Sequence, residues 1–147
     1  MKITLLIAPI LLTMTACNTI NSKKVALDYI DLSKQEQQNQ LEQYWTLKKN
    51  IPPVYPVSAA ANGKSGCVDV VFGINPEGKM EGYSIRSSYP KGVFDDAAVI
   101  AVSKWRWDPT QDNVAKKPVL TSVRLDFMLL KDANDAQFLA NCPMAHS

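Results

Sequence analysis

The chain has 147 residues, 46% of them hydrophobic, enough for one domain with a single core plus a tail. Sixteen basic residues stand against 14 acidic ones with no basic stripe among them, which argues against a nucleic-acid binder. The first element is N-terminal: Lys2, an apolar run over 3–12, then Thr13, Met14, Thr15 and Ala16 ahead of Cys17. A short basic start, an apolar core of that length and small residues before the break describe a secretory signal rather than a membrane span.

Met14-Thr15-Ala16-Cys17 resembles the lipobox of bacterial lipoproteins, with methionine where a bulky aliphatic residue is usual. The resemblance implies that 1–16 are removed and that Cys17 is diacylated, becomes the new N-terminus and is acylated again, which holds a protein firmly on a bilayer. Asn18, where aspartate would mark inner-membrane retention, implies the outer membrane, facing the periplasm of a Gram-negative cell. The competing reading is an ordinary secreted protein with a cysteine near its cleavage site. Cys67 and Cys142 then lie in an oxidising compartment, and a disulfide between them is the plain expectation. A metal site is not expected: the single histidine is His146, beside the C-terminus, and two cysteines alone hold zinc poorly.

Residues 17–51 read as a tether and a Gln-rich helix. No pattern marks 18–32, whereas Ser33 with Glu36 offers a capping box for a helix over 34–48 with a narrow stripe of Leu41, Tyr44 and Trp45. Pro52, Pro53 and Pro56 then force an extended lead-in, and Asn62-Gly63 closes a short helical turn over 58–61. Gly63-Lys64-Ser65 is no phosphate loop, because Ser58 stands where the first glycine belongs and no strand precedes it.

From Cys67 the period becomes two. Val68, Val70, Phe72 and Ile74 face one way, and Cys67, Asp69, Val71 and Gly73 the other, as in a strand with one buried face. Asn75-Pro76-Glu77-Gly78 is turn chemistry, and the chain is expected to return over 79–87 with Tyr83 and Ile85 on the core side. The stretch 94–109 reads as one amphipathic helix: Phe94, Ala97, Ala98, Ala101, Val102 and Trp105 form its stripe. Asp95 and Asp96 open it, Lys104 and Arg106 close it, and Pro109 stops it, with Trp107 as a lid. A third strand over 119–130 places Val123, Leu125, Phe127 and Leu129 inward and Ser122, Arg124, Asp126 and Met128 outward. A tail over 131–147 follows, with Asp132 as a cap, Phe138 and Leu139 as anchors, and Cys142 clamping it. The sum is an α+β fold, ββαβ, whose antiparallel sheet packs one face on the helix, with an extra N-terminal helix.

Pro53-Val54-Tyr55-Pro56, Gly66 through Ile74, Pro76-Glu77-Gly78-Lys79, Gly92-Val93-Phe94-Asp95, Trp105-Arg106-Trp107-Asp108-Pro109 and Lys117-Pro118-Val119 with Phe127 resemble the TonB C-terminal domain, in unbroken order over 52–130. Cys67 and Trp107 depart from the usual residues. The resemblance implies a binding module that reaches across the periplasm and takes an extended segment of an outer-membrane transporter as an added strand on the sheet edge. By position, the accepting edge is the third strand, where Thr121, Ser122, Arg124, Asp126 and Met128 are the expected partner-binding residues. The competing expectation is an edge blunted by its charges or covered by the tail.

An energy transducer of that family needs an uncleaved inner-membrane helix and a long spacer. The lipobox-like cysteine and the short Gln-rich segment imply a protein that does not transmit energy itself. A structural role, a homodimer through the third strand, is the alternative. Enzymatic activity is not expected: there is no G-x-S-x-G, and acids such as Asp69, Glu81 and Asp126 lie on strands rather than around a histidine. No cofactor is implied.

Overall fold

The computed structural model describes residues 27–129 and 136–143. The signal segment, the lipidation site Cys17, the first part of the tether, the cap at Asp132 and His146 lie outside the described residues.

The centre of the fold is β3 (Gly66–Ile74), which pairs antiparallel on one side with β4 (Met80–Tyr89) and on the other with β6 (Val119–Phe127). Its β-branched and aromatic residues fit a pleated surface, and Val68, Val70, Phe72 and Ile74 are all buried on the core face. A two-residue strand β1 (Ile30–Asp31) adds parallel to β6, giving the order β1-β6-β3-β4. The turn between β3 and β4 is built by Asn75, whose side-chain oxygen accepts the Glu77 and Lys79 amides at 3.1 and 3.0 Å. Gly78 in that turn has φ +67°, and the carbonyl of Trp107 would lie 2.0 Å from any Cβ there.

The helix α3 (Asp95–Ser103) lies against β3 and β4 and buries Ala98, Ala101 and Val102. At the helix start Phe94 stacks on Phe127 with ring centroids 4.5 Å apart, and Tyr55 meets both edge-on at 5.5 and 5.9 Å. These offset and edge contacts suit the ring quadrupoles. Asp95 and Asp96 do occupy the first turn.

The helix ends earlier than its sequence pattern implies. Lys104 and Trp105 amides bond back three residues to the carbonyls of Ala101 and Val102 at 3.0 Å, tightening the last turn. Arg106–Pro109 is then a strand, β5, paired antiparallel with β2 (Trp45–Lys49). Trp105 and Trp107 stand two apart, which a helix would send to nearly opposite faces and a strand sends to one. Both are buried, with centroids 6.0 Å apart, and Trp107 packs on Phe72 at 5.4 Å, so it is a core residue rather than a lid. Arg106 still serves the helix end from outside, donating to the Ser103 carbonyl at 3.0 Å.

The N-terminal helix is likewise shorter than the pattern implies. A 3-10 helix (Gln35–Gln40) runs into one α turn, α1 (Leu41–Tyr44), and the end of the expected helix is β2. Ser33 does not cap it; the N-cap is Lys34, which makes no side-chain cap bond. Trp45 explains the change. Its ring is buried and its indole N–H donates to the Lys117 carbonyl at 3.0 Å, a partner a continuing helix would not reach. A 3-10 turn (Gln111–Asn113) is tied to the same place: the buried Asn113 amide donates to Tyr44 O at 3.1 Å and its oxygen accepts the Lys117 amide at 2.8 Å.

Between the prolines and β3, α2 (Val57–Ala61) ends at Asn62-Gly63 with Gly63 at φ +59°, as the sequence reading has it. Tyr83 departs from expectation. It pairs across from Phe72 on the outer strand β4 but is 58% exposed, whereas Ile85 packs against the core. In the tail, α4 (Ala136–Asn141) buries Phe138, while Leu139 is exposed and anchors nothing.

Candidate functional site

The two strands that flank β3 differ in regularity. The β3–β4 register slips twice: Gly73 pairs Glu81 and Phe72 pairs Tyr83, leaving out Gly82, and Val70 pairs Ile85 while Asp69 pairs Ser87, leaving out Arg86. Gly82 takes φ +69° to make its bulge. Such bulges bend and blunt an edge. The β3–β6 register runs from Gly66 with Phe127 to Ile74 with Val119 without a slip. β6 is therefore the straight flank of β3, and β1 covers only its first two residues.

That edge is already engaged over its first half. The Ile30 amide donates to the Pro118 carbonyl at 3.0 Å and the Leu32 amide to the Leu120 carbonyl at 2.7 Å. Backbone groups alternate along a strand, so Ser122, Arg124 and Asp126 present theirs on the same outward side as Leu120. The expected partner-binding residues fall into two groups. Thr121 is 1% exposed and Ser122 8% exposed. The Ser122 hydroxyl accepts from the Gln38 amide at 2.5 Å and donates to the Ser33 carbonyl at 3.0 Å. Arg124, by contrast, bonds Asp126 at 2.7 Å and the tail carbonyls of Cys142, at 2.8 Å, and Pro143. Met128, just past the strand, is 46% exposed.

The tail is brought there by a disulfide between Cys67 and Cys142, with Cα atoms 5.9 Å apart. Both cysteines are buried with Phe138, and Tyr89 packs on them. A cleft of about 320 Å3 lies beside the bond, between Gln38, Asp69, Arg86 and Arg124. Asp69 pairs in register with Arg124 and takes an ion pair from Arg86 at 3.3 Å. Burial pushes its carboxyl above the usual range, and the two guanidinium groups oppose that shift. A larger cleft of about 610 Å3 flanks β6 on the core side, floored by Trp45, Phe72 and Trp107 and walled by Leu47 and Val123.

Among the described residues no group of three or more histidine, cysteine or acidic side chains is placed to hold a metal. No described helix is long and apolar enough to cross a membrane. Asp69, Glu81 and Asp126 do not converge: Asp69 and Asp126 each face an arginine, and Glu81 accepts from Asn75 at 3.3 Å. The sequence reading missed β1 and Gln38. The only signal for β1 is the spacing of Ile30 and Leu32 about Asp31, a period of two over three residues.

A sheet antiparallel but for the short β1, backed by one helix and with an aromatic cleft alongside β6, defines a small α+β domain. Residues 51–129, more than half of the chain, match the family described as Gram-negative bacterial TonB protein C-terminal, and the chain belongs to that family. It is 40% identical over 58 residues to Protein TonB of Pseudomonas aeruginosa, a stretch covering 40% of this chain and 17% of that protein. It is 33% identical over 57 residues to Protein TonB of Escherichia coli K12, covering 39% of this chain and 24% of that protein. The match thus spans less than a quarter of these curated relatives. The solution NMR structure of the Pseudomonas aeruginosa TonB CTD superposes with a TM-score of 0.51 at 28% identity, over 58% of this chain and 87% of that one.

Proposed function

We propose that this chain is an envelope protein, anchored through Cys17 to the outer membrane and facing the periplasm, that binds an extended segment of another envelope protein by strand addition to β6. The observation that carries the reading is that β6 already bonds an extended segment on its outer side, with two backbone bonds of 3.0 and 2.7 Å to β1. An edge that takes one such segment has the geometry to take another. Beyond β1, the outward groups of Arg124 and Asp126 continue the row, and Met128 is exposed at its end. The family likeness supports a protein-interaction role rather than catalysis. The apolar run over 3–12, ending at a lipobox-like cysteine, supports a lipid anchor in place of a transducing helix.

The test is a photoreactive residue at Met128 in living cells. An adduct with another envelope protein is expected, and Asp126→Pro, which removes one outward N–H of β6, should abolish it. No adduct, together with association of the purified chain that grows with concentration in light scattering, would point to the homodimer instead. Cys17→Ser should move the protein to the soluble fraction, and continued membrane retention would refute the anchor.

A further inference from the structure

We infer that the segment Tyr29 to Leu32 is a built-in occupant of the β6 docking edge, and that a partner binds by displacing it with a longer parallel strand of the same pattern. This rests on the reading of β6 as the docking strand. Leu32 is 3% exposed and sits in the main core, and Ile30 packs half-buried against the same cluster. Asp31 between them is exposed. Apolar residues at alternate positions facing one side are what an added strand on this edge requires.

The other face of the segment is fitted too. The Tyr29 ring lies where a side chain at residue 73 would stand: a Cβ on Gly73 would come within 2.6 Å of it. Gly73 is on β3, directly across from Leu120, so the ring reaches over the edge strand onto the centre of the sheet. The Ser33 carbonyl ends the segment in bonds from the Ser122 hydroxyl and the Arg86 guanidinium.

The occupant is nevertheless short. It pairs two residues in register, Ile30 with Val119 and Asp31 with Leu120. The chain then turns away into the 3-10 helix at Gln35. The second half of β6 offers Arg124 and Asp126 to a strand that continues where this one leaves. A longer segment, apolar at two alternate positions and polar opposite the Arg124–Asp126 pair, therefore gains backbone bonds that β1 lacks. An element held to its neighbour by two paired residues can open locally while the rest stays folded.

The test uses the purified full-length chain and a fluorescent synthetic peptide copying residues 27–34. Ile30→Pro removes the amide that bonds Pro118. Tyr29→Ala removes only the ring over Gly73 and leaves both backbone donors, so it reports even where the proline variant folds poorly. If the segment fills the edge nine-tenths of the time or more, freeing it tightens apparent affinity by about 10-fold or more. Anisotropy should show the peptide binding Ile30→Pro at least about 10-fold tighter than wild type, with Tyr29→Ala in between. A peptide carrying Asp in place of its Ile30 and Leu32 equivalents should not bind. Equal affinity for all three proteins would overturn the occupant and leave β6 as a docking strand. Binding to none of them would overturn the docking strand itself, and the occupant with it.

Discussion

Breaking the Cys67–Cys142 bond should lower stability without unmaking the sheet. The bond closes a loop with a sequence separation of 75. On the chain-entropy relation a loop of that size removes about 15 cal/mol/K from the unfolded chain, or about 4.5 kcal/mol at 25 °C. That figure is a ceiling, because the folded chain relaxes too. Without the bond, the described tail, 136–143, keeps the buried Phe138, worth about 2 kcal/mol, and the Arg124 bonds to Cys142 and Pro143. Ordering eight residues costs about 1–2 kcal/mol each, so the tail should undock. Cys142→Ala is expected to lose about 3 kcal/mol in urea unfolding followed by the fluorescence of Trp45, Trp105 and Trp107, all buried. Hydrogen exchange on the same variant should show the tail amides unprotected and those of β3 protected. A loss under about 1 kcal/mol, or tail amides that stay protected, would refute the reasoning.

Gly78→Ala should cost at least about 3 kcal/mol, because it combines a left-handed φ, worth about 1–2 kcal/mol, with the Trp107 carbonyl 2.0 Å from the new Cβ. Gly82→Ala, at φ +69° with nothing within 4 Å, should cost only the first part, and equal losses in urea melts would contradict that account. The Asp31 carboxyl is held below its usual range, first by the Ser33 amide that donates to it at 2.9 Å. Its folded value is depressed, so its contribution is present above the ordinary aspartate range and fades as pH falls through the folded value. Protection of the Ser33 amide, its exchange measured against the intrinsic rate at each pH, should therefore fall on acidification, and in Asp31→Asn that fall should be lost. Asp69 has the opposite sign: burial raises it, so its contribution is full at low pH and lost as pH rises through the raised value. Carboxyl NMR should find it titrating above ordinary aspartates, and titration below them would contradict the burial.

The parts legible in the sequence are those whose period is long and whose partners are near. In β3 every second residue from Gly66 to Ile74 is buried, and β6 carries a similar, looser alternation over nine residues. The turn at Asn75 to Gly78 carries its own chemistry in four residues. The ends of the two predicted helices were set by a partner far along the chain. Trp45–Lys49 and Arg106–Pro109 pair with one another across about sixty residues, and that pairing overrides the helix propensity of the Gln-rich stretch and the capping charges of Lys104 and Arg106. Tyr83 was misplaced because the Gly82 bulge and its position on the outermost strand are invisible to a count of two. β6 itself was readable from alternation. β1 was not, since two paired residues carry too little pattern to stand out from a tether.

The two bulges on β4 also limit what the molecule can build. A sheet with two regular edges can be copied end to end without limit, each chain offering one side to the next. Here Gly82 and Arg86 spoil one side, and on the other β6 runs without a slip beyond the two residues that β1 covers. Contacts of β6 to β6 close a pair, and contacts of β6 to a foreign strand close a complex. Neither leaves a free end to grow from, so the irregular β4 side guards the sheet against growing into a filament.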